Sequence, residues 1–433
     1  MQTVNDDRFT ELKPAMLADE ALGEANRCLY CYDAPCTRAC PTHIDVPGFI
    51  KKIASGNLRG SARTIFDANV LGASCARVCP TEVLCEGACV MHDHHARPIE
   101  IGRLQRHATD WALERGQLPF RRADKLRVEL GSVGIVGAGP AGLACAAELL
   151  RLGVEPVVYE ATDRPGGLNA TGVAEYKMTR LTALVEVGEL QKAGVKVQLG
   201  TRVGKDGNLP LAELEKRHAA LFVGVGLGRV GRLGLPGDDL PGVVDAIDYI
   251  AALKLDRDAA AQQTRGKRVA VIGGGNTSID VVTQAARLGA HEVWLLYRRG
   301  AAEMPAYAHE VERARHDGCR FCYATQAARI AKKGTALALT LTSSDPLVPK
   351  ELEVDLVVLA TGQKPHAGFL AEIAGLELAG TKVLVDPTTM RTSNKKYWAG
   401  GDCISGGKEV VNAVAEGKLA ARSIVAALEA ARG

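Results

Sequence analysis

Aromatic residues are scarce in this sequence, since Phe, Trp and Tyr together make up 4% of its 433 residues. This scarcity argues against the stacking platforms by which proteins hold single-stranded nucleic acid. An excess of one charge is also missing, because 53 Lys and Arg residues nearly balance 50 Asp and Glu residues and leave a formal net charge of +3. The balance gives no electrostatic reason to expect a nucleic acid or an anionic membrane as a partner.

Long apolar runs are absent as well. No uninterrupted run reaches about 18 residues, the length at which a segment becomes a candidate membrane span. The first twenty residues are polar and acidic and lack the apolar centre of a secretory signal. In a chain without an export signal, twelve cysteines indicate metal ligation rather than disulfides. We therefore expect a cytoplasmic protein.

Eight of the twelve cysteines lie in two clumps near the N-terminus, at positions 28, 31, 36 and 40 and at positions 75, 79, 85 and 89. Thiolates at such short spacings hold iron–sulfur clusters, and eight of them could hold two clusters with four ligands each. Cys40 precedes Pro41, and in bacterial ferredoxins the cysteine before such a proline ligates the other cluster. Cys40 is therefore predicted to join the second clump, and one cysteine of the second clump the first.

Two other interpretations of these cysteines stay open, namely structural zinc and unligated buried thiols for one or two of the eight. Zinc sites usually show two well-separated Cys-x2-Cys pairs, and within the clumps only Cys28 and Cys31 have that spacing. Cys319 and Cys322 form a further such pair, which we interpret as ordinary thiols.

Helical periodicity dominates the first part of the chain, with apolar residues at helical spacing in 46–53, 60–69 and 99–113. From residue 126 the pattern changes to two β-α-β units, which indicates two nucleotide-binding domains. The first unit contains a flavin-type dinucleotide fingerprint between strand and helix, Gly137-Ala138-Gly139-Pro140-Ala141-Gly142. Glu160 ends its second strand, where an acid would bond to ribose hydroxyls.

Each glycine of this fingerprint has a physical role. Gly137 permits the tight turn, Gly139 lets a pyrophosphate approach the backbone, and Gly142 allows close helix–strand packing. The helix N-terminus supplies N–H donors to the phosphates. Gly166, Gly167 and Leu168 could bring a second stretch of backbone to the same cofactor. Near the C-terminus, Gly401 and Asp402 precede a helical segment; Asp402 can accept hydrogen bonds from a sugar-alcohol chain, although alone it could be a turn or cap residue.

The second β-α-β unit has its own turn, Gly273-Gly274-Gly275-Asn276-Thr277-Ser278. Arg298 stands where Glu160 stands in the first unit, and Arg299 follows it. An arginine there removes the repulsion between an acid and a 2′-phosphate and offers a bidentate partner, which favours NADPH. A solvated surface charge is the alternative. The later strand that ends in Ala360-Thr361-Gly362 resembles the strand at 221–228, so these two are predicted to bound an inserted domain. Ala360, Thr361 and Gly362 are also predicted to contact a cofactor.

We therefore predict an α/β protein in which an α-helical iron–sulfur domain precedes two nested Rossmann-like domains, an FAD-binding domain of the glutathione-reductase kind with an NAD(P)-binding domain inserted. The predicted bounds are 1–125 for the helical domain, 126–237 with 356–433 for the FAD domain, and 238–355 for the NAD(P) domain.

Over essentially its whole length the sequence resembles the flavin and iron–sulfur subunits of dihydropyrimidine dehydrogenase, with 28–41 and 75–89 matching the two cluster runs of that family. The resemblance also extends to the small subunit of glutamate synthase. It implies one [4Fe-4S] cluster on Cys28, Cys31, Cys36 and Cys89. It implies a second on Cys40, Cys79, Cys85 and Gln105, with Cys75 free. The implied FAD contacts include Glu160 to Leu168, Lys177, Val203 and Gly401 to Val410, and the implied dinucleotide contacts include Gly274 to Thr277, Arg298 and Arg299.

The resemblance further implies an electron-input subunit that oxidises NAD(P)H at FAD and passes electrons to a PreA-like FMN/iron–sulfur subunit in a heterotetramer. That partner would interconvert uracil or thymine and their dihydro forms. Pro305 departs from a further phosphate-binding arginine in the eukaryotic enzyme, so both NADP(H) and NAD(H) stay open. A glutamate synthase small subunit, which tends to have Glu at the position of Gln105, a ferredoxin:NADP oxidoreductase subunit and a zinc-stapled scaffold are the alternatives.

Overall fold

The computed structural model describes residue 9, residues 11–116 and residues 118–432. Its α-helices, in chain order, are α1 Ala18–Asn26, α2 Pro35–Ala39, α3 Val46–Ala54, α4 Leu58–Ala68, α5 Gly72–Val78, α6 Ile101–Leu113, α7 Pro140–Arg151, α8 Leu168–Thr171, α9 Arg180–Lys192, α10 Leu211–Arg217, α11 Ala246–Leu255, α12 Arg257–Thr264, α13 Asn276–Arg287, α14 Ala308–His316, α15 Ala367–Leu370, α16 Asp402–Ser405 and α17 Val410–Ala430. Its strands are β1 Ser132–Val136, β2 Glu155–Tyr159, β3 Lys196–Gln198, β4 Ala220–Val223, β5 Val243–Asp245, β6 Arg268–Ile272, β7 Glu292–Leu296, β8 Arg320–Cys322, β9 Thr325–Lys333, β10 Ala336–Ser343, β11 Glu351–Val354, β12 Leu356–Leu359, β13 Leu378–Ala379, β14 Lys382–Val383 and β15 Tyr397–Ala399.

Helices α1 to α6 enclose a small apolar core. Of the eight clustered cysteines, Cys36 lies in α2 and Cys75 in α5, and the other six lie in the segments between helices. Apolar residues at helical spacing in α3 bury one face of that helix, as the sequence predicts. The side chains of Asp45 and Asn57 accept hydrogen bonds from the backbone N–H groups of Gly48 and Gly60 and so cap α3 and α4. Each such cap stabilises its helix by about 1 kcal/mol.

A five-stranded parallel sheet in the order β15-β4-β1-β2-β3 follows the helical region. Its strands read as continuous apolar runs because both faces are covered, as in other parallel sheets. Helix α17 lies along α7, and Gly417 permits their close approach, since a Cβ there would lie 2.2 Å from the carbonyl oxygen of Ala141. The C-terminal helix therefore packs beside the helix that follows the first glycine turn.

A second five-stranded parallel sheet has the order β5-β12-β6-β7-β8, and a three-stranded antiparallel sheet has the order β11-β10-β9. By contacts the chain forms two compact units; the smaller combines 228–364 with 171–180 and the described residues before 12, and the larger contains the rest. The smaller unit thus interrupts the larger one in the chain, and the predicted order of a helical region and two nested α/β folds is confirmed. The domain bounds that we predict at 125, 237 and 355 remain predictions.

No helix in the described part of the chain is both long enough and apolar enough to cross a bilayer.

Candidate cofactor sites

Four cysteines surround one cavity in the helical region. Cys28, Cys31, Cys36 and Cys89, here called the first cluster site, line a space of about 360 Å³, its open mouth included. The other walls are apolar and include Val46, Ile50, Val90 and Ile101. Burial raises the pKa of Cys28, and it raises the pKa of Cys36 to about 12. The structure therefore brings Cys89 of the second clump to three cysteines of the first.

A second cavity of about 340 Å³ is lined by Cys40, Cys75, Cys79, Cys85 and Gln105, here called the second cluster site. Cys40 of the first clump thus meets three cysteines of the second. Val411 at the start of α17 also lines this cavity. The second cluster site therefore adjoins the helix that packs beside the first glycine turn.

Short local contacts fix the geometry of the second cluster site. The side-chain nitrogen of Gln105 donates to the carbonyl oxygen of Gly72 at 2.8 Å. The amide oxygen of Gln105 is therefore the side-chain atom that is available to a metal. Asn69 donates to the Cys75 sulfur at 3.1 Å. Five potential donors therefore line one cavity, and Cys75 differs from the rest in having an amide hydrogen bond to its sulfur.

The chemistry of these donors fits iron–sulfur clusters. A hydrogen bond with Cys75 and burial raise the pKa of Cys79 well above its usual value, and burial does the same for Cys85. Buried thiols of this kind are inert unless a metal displaces their protons. Among the described residues, no three His, Cys, Asp or Glu side chains are placed to hold a single metal ion. Each cavity is lined by at least four such donors and has room for a polynuclear cluster.

The first glycine turn forms a cradle open to a pyrophosphate. Gly137 has a φ of +103°, and a Cβ at Gly142 would lie 2.0 Å from the Gly137 carbonyl oxygen. At Gly139 the nearest atom to an added Cβ would be 3.9 Å away, on Gly167. The turn is therefore closed where helix and strand meet and open at Gly139, the position at which the fingerprint needs a phosphate to approach.

Glu160 lies beside this cradle. Its carboxylate accepts hydrogen bonds from the backbone N–H groups of Ala138 and Thr162, both at 2.9 Å. The backbone N–H of Gly166 donates to the Ala138 carbonyl at 2.8 Å. The structure thus brings the predicted second stretch of backbone, with Leu168 at the start of α8, against the same turn.

The C-terminal residues predicted for FAD also lie in the larger unit. Gly401 has a φ of +79°, and its N–H donates to the Glu416 carboxylate at 2.7 Å. A Cβ at Gly401 would lie 3.1 Å from the Cβ of Ala141, so this turn meets the start of α7. Burial raises the pKa of Asp402. Pro140 and Val410 are the first residues of α7 and α17, and Val203 is buried beside its bridge partner Leu209.

The second glycine turn, in the smaller unit, repeats this design. Gly273 has a φ of +149°, and a Cβ there would lie 2.2 Å from the Ala360 carbonyl oxygen. Thr361 and Gly362 come directly after Ala360 in the sequence. Gly274 packs against the Tyr297 ring, since a Cβ at Gly274 would lie 2.3 Å from the nearest ring atom. Nothing lies within 4 Å of a Cβ at Gly275, so this turn too is open at one glycine.

The other residues predicted to bind the dinucleotide surround this turn. Asn276 begins α13, is followed by Thr277, and its side-chain oxygen accepts from the Tyr307 N–H at 3.0 Å. Arg298 and Arg299 are exposed at the end of β7. The Arg299 guanidinium lies 5.7 Å from the centre of the Tyr297 ring. Both guanidinium groups are accessible to a phosphate.

Lys177 lies in the smaller unit, where its amine contacts Asp280 at 2.9 Å and Glu310 at 2.7 Å. Burial alone would lower the pKa of this lysine, but Asp280, Tyr176 and Glu310 raise it further, and the net shift is upward. Tyr176 donates to the same Asp280 at 2.8 Å. The structure therefore places Lys177 in a buried ion-pair network, and its predicted contact with FAD remains a prediction.

Two charged residues near the second cluster site, Lys13 and Glu186, are not predicted from the sequence. Lys13 donates to the Cys79 carbonyl and to the Thr81 hydroxyl, each at 2.7 Å. Glu186, on α9, accepts from the backbone N–H groups of Ala73 and Ser74 at 2.8 and 3.1 Å. No local signal could have identified either residue, because both contacts join segments that are far apart in the sequence.

Comparison with known proteins identifies the families of both parts of the chain. A family model described as dihydropyrimidine dehydrogenase domain II, 4Fe-4S cluster, matches residues 5–117. One described as pyridine nucleotide-disulphide oxidoreductase matches residues 131–417. The chain is 34% identical to the NAD-dependent dihydropyrimidine dehydrogenase subunit PreT of Escherichia coli, covering 97% of each chain. It is 33% identical to the glutamate synthase [NADPH] small chain of Halomonas elongata, covering 96% of this chain and 93% of the relative.

Among solved structures, thioredoxin reductase of T. acidophilum matches with a TM-score of 0.55 and 21% identity, over 70% of this chain and 99% of that one. At that identity the likeness establishes the fold of the two α/β parts.

Proposed function

Because this chain belongs to the pyridine nucleotide-disulphide oxidoreductase family, in the branch that holds PreT subunits and glutamate synthase small chains, we propose that it is the electron-input subunit of a dihydropyrimidine dehydrogenase. It is an FAD- and iron–sulfur-dependent NAD(P)H oxidoreductase. The observation that carries the proposal is the pair of cysteine-lined cavities in the same compact unit as the FAD cradle.

The residues have separate tasks in this function. When bound, FAD accepts the hydride of NAD(P)H and returns its two electrons singly to iron–sulfur clusters. Gly139 and Glu160 bind and orient the FAD, and Gly275, Arg298 and Arg299 bind the dinucleotide. Cys28, Cys31, Cys36 and Cys89 hold one [4Fe-4S] cluster, and Cys40, Cys79, Cys85 and the amide oxygen of Gln105 hold another.

The position of the two cluster sites indicates the route of the electrons. The second cluster site adjoins Val411 of α17, whose first residue, Val410, is predicted to contact FAD. The first cluster site is flanked by Leu29 and Tyr32, which are exposed. We therefore infer that the second cluster site would lie nearer the FAD and that the first, beside the exposed side chains of Leu29 and Tyr32, would face the electron acceptor.

The electron acceptor is a separate polypeptide. We propose a PreA-like subunit with FMN and iron–sulfur clusters, in a cytoplasmic heterotetramer, as the site at which uracil or thymine is interconverted with its dihydro form. A glutamate synthase small subunit is the second candidate, since the identity to that relative is nearly as high. Gln105 favours the first candidate.

Anaerobic assays with NADH and NADPH test this function. The purified chain is expected to reduce artificial dyes but not uracil, and to support uracil reduction only after a PreA-like subunit is added. A parallel assay with a glutamate synthase large subunit serves as the control for the second candidate. Uracil reduction by the chain alone, or glutamate formation only with the latter partner, would contradict the proposal.

A further inference from the structure

The ammonium group of Lys13 lies at the edge of the second cluster site. It donates at 2.7 Å to the carbonyl oxygen of Cys79, whose sulfur lines the cavity, and at 2.7 Å to the hydroxyl of Thr81, which lines it as well. Lys13 is half-buried, so water screens its charge less than that of an exposed lysine. A fixed positive charge therefore faces this cavity.

Lys13 is held in place by the same helix that supplies Gln105. Arg106, the next residue on α6, donates to the Lys13 carbonyl oxygen at 2.5 Å. The Arg106 guanidinium is fixed in turn by Asp110 at 3.1 Å, and Asp110 also pairs with Arg77 at 2.8 Å. The backbone of Lys13 is thus held by α6, and its ammonium is held by Cys79 and Thr81.

The charges around the two cluster sites differ. At the second site the charges are mixed: besides the Lys13 ammonium, the carboxylate of Glu86 acts on Cys85 and that of Glu409 acts on Cys79. The first cluster site is lined by apolar side chains and its own cysteines. A ligand set with the neutral Gln105 amide also carries one negative charge less than four thiolates. The Lys13 ammonium and the neutral Gln105 ligand make the added negative charge of reduction easier to accept at the second site, whereas the two carboxylates oppose it.

We propose that Lys13 is a positioning residue for electron transfer, which raises the reduction potential of the cluster at the second site. The proposal rests on the function and the ligand sets proposed above. The ammonium stabilises the reduced, more negative cluster by Coulomb attraction, since iron–sulfur potentials follow the local charge and hydrogen bonding. The Lys13 charge thereby favours reduction of the cluster at the second site.

Redox titration of the anaerobic holoprotein, followed by electron paramagnetic resonance, tests this role. The signal of the second cluster is identified as the one that Gln105→Glu changes. In Lys13→Gln, the ratio of reduced to oxidised second cluster at the wild-type midpoint should fall about tenfold, which is a negative shift of about 59 mV for one electron. The midpoint of the first cluster should stay unchanged.

Three further variants decide the interpretation. Lys13→Arg keeps the charge and should restore the wild-type midpoint, whereas Lys52→Gln removes a charge elsewhere in the helical region and should have no effect. Lys13→Met repeats the measurement if Lys13→Gln does not retain its iron. An unchanged second midpoint without the charge, or equal shifts in Lys13→Arg and Lys13→Gln, would overturn the proposal for Lys13. Wild-type protein that contains no iron would instead refute the proposed function, and iron analysis before titration separates the two failures.

Discussion

Glu186 is fully buried, and its ordinary solvation is replaced by hydrogen bonds from the first turn of α5. The Ser74 hydroxyl also donates to this carboxylate, at 2.5 Å. Burial raises the pKa of Glu186 to about 7, although the hydrogen bonds from Ser74 and Ala73 act in the opposite direction. The carbonyl of the preceding residue, Gly72, accepts a hydrogen bond from Gln105. Glu186 therefore fixes the backbone segment that also positions Gln105 at the second cluster site.

The raised pKa of Glu186 predicts a stability that falls as pH rises. Between the ordinary value of 4.5 and about 7, the folded protein keeps a proton that the unfolded chain has lost, so a rise in pH favours unfolding. Raising the pH from 6 to 8.5 should lower the free energy of unfolding by about 1 kcal/mol through the ionisation of Glu186. Glu186→Gln cannot ionise, so the advantage of the wild type over this variant in Tm should be smaller at pH 8.5 than at pH 6.

Glu213→Gln serves as the control, because Glu213 is an exposed carboxylate paired with Arg217 on α10. Its Tm difference from the wild type should be the same at both pH values. If the Glu186→Gln difference were equally constant, the carboxylate would be ionised throughout and the assigned protonation would be wrong.

At the scale of elements, the two strand–turn–helix units divide one task among their glycines. In each turn, one glycine has a positive φ and faces a carbonyl oxygen, as Gly137 faces Gly224 and Gly273 faces Ala360. Another, Gly139 or Gly275, has free space where a Cβ would be. The first kind of glycine makes the fold possible, and the second leaves room for a phosphate.

Alanine substitutions should separate these two tasks. Gly139→Ala fits the free protein, since φ is −80° and the nearest atom is 3.9 Å away, but its methyl group occupies the approach to the pyrophosphate. We expect a normal fold and FAD affinity reduced about tenfold or more, a loss of at least about 1.4 kcal/mol. Gly142→Ala places a methyl group 2.0 Å from a carbonyl oxygen and should destabilise the fold itself by about 1–3 kcal/mol.

Flavin content per chain and thermal unfolding measure the two effects. Gly188→Ala, inside α9 with nothing within 4 Å of its Cβ, is the matched control and should bind FAD normally. A Gly139→Ala protein with the full wild-type affinity for FAD would place the cofactor elsewhere.

At the scale of the whole molecule, the sequence predicts structural features that depend on residues close together in the chain. It predicts few of the contacts between residues that are far apart in the chain. The turn at Gly137 and the helical face of α3 follow from periodicity and glycine spacing, and the structure contains both. Lys13 reaches Cys79 across 66 positions, and Glu186 reaches Ala73 across 113. Such contacts depend on how helices and sheet pack in three dimensions, and an isolated Lys or Glu in a sequence has the pattern of an ordinary surface residue.

The resemblance to a known family supplies the pairing of cysteines that spacing alone leaves open. Spacing predicts an exchange between the clumps but does not identify Cys89 as the returning residue, because the order of the loops in space is set by α1 to α6. The structure places Cys89 at the first cavity and Cys75 at the second. Five potential donors line the second cavity and a cluster takes four ligands, so substitutions distinguish whether Cys75 or Gln105 is the fourth.

Removal of one cluster should separate electron input from electron output. Cys36→Ser deletes a thiolate of the first cluster site but leaves the FAD cradle intact, so NAD(P)H oxidation with a dye that accepts electrons from flavin should continue near the wild-type rate. Transfer to the partner subunit should fall more than about tenfold, because the exit site is broken. Cys75→Ser is the matched control, since the Cys75 sulfur accepts the Asn69 hydrogen bond and is not among the proposed ligands, so it can be replaced without loss of iron. Full transfer by Cys36→Ser would exclude the first cluster site from the route, and a Cys75→Ser protein as poor in iron as Cys85→Ser would assign the fourth ligand to Cys75 in place of Gln105.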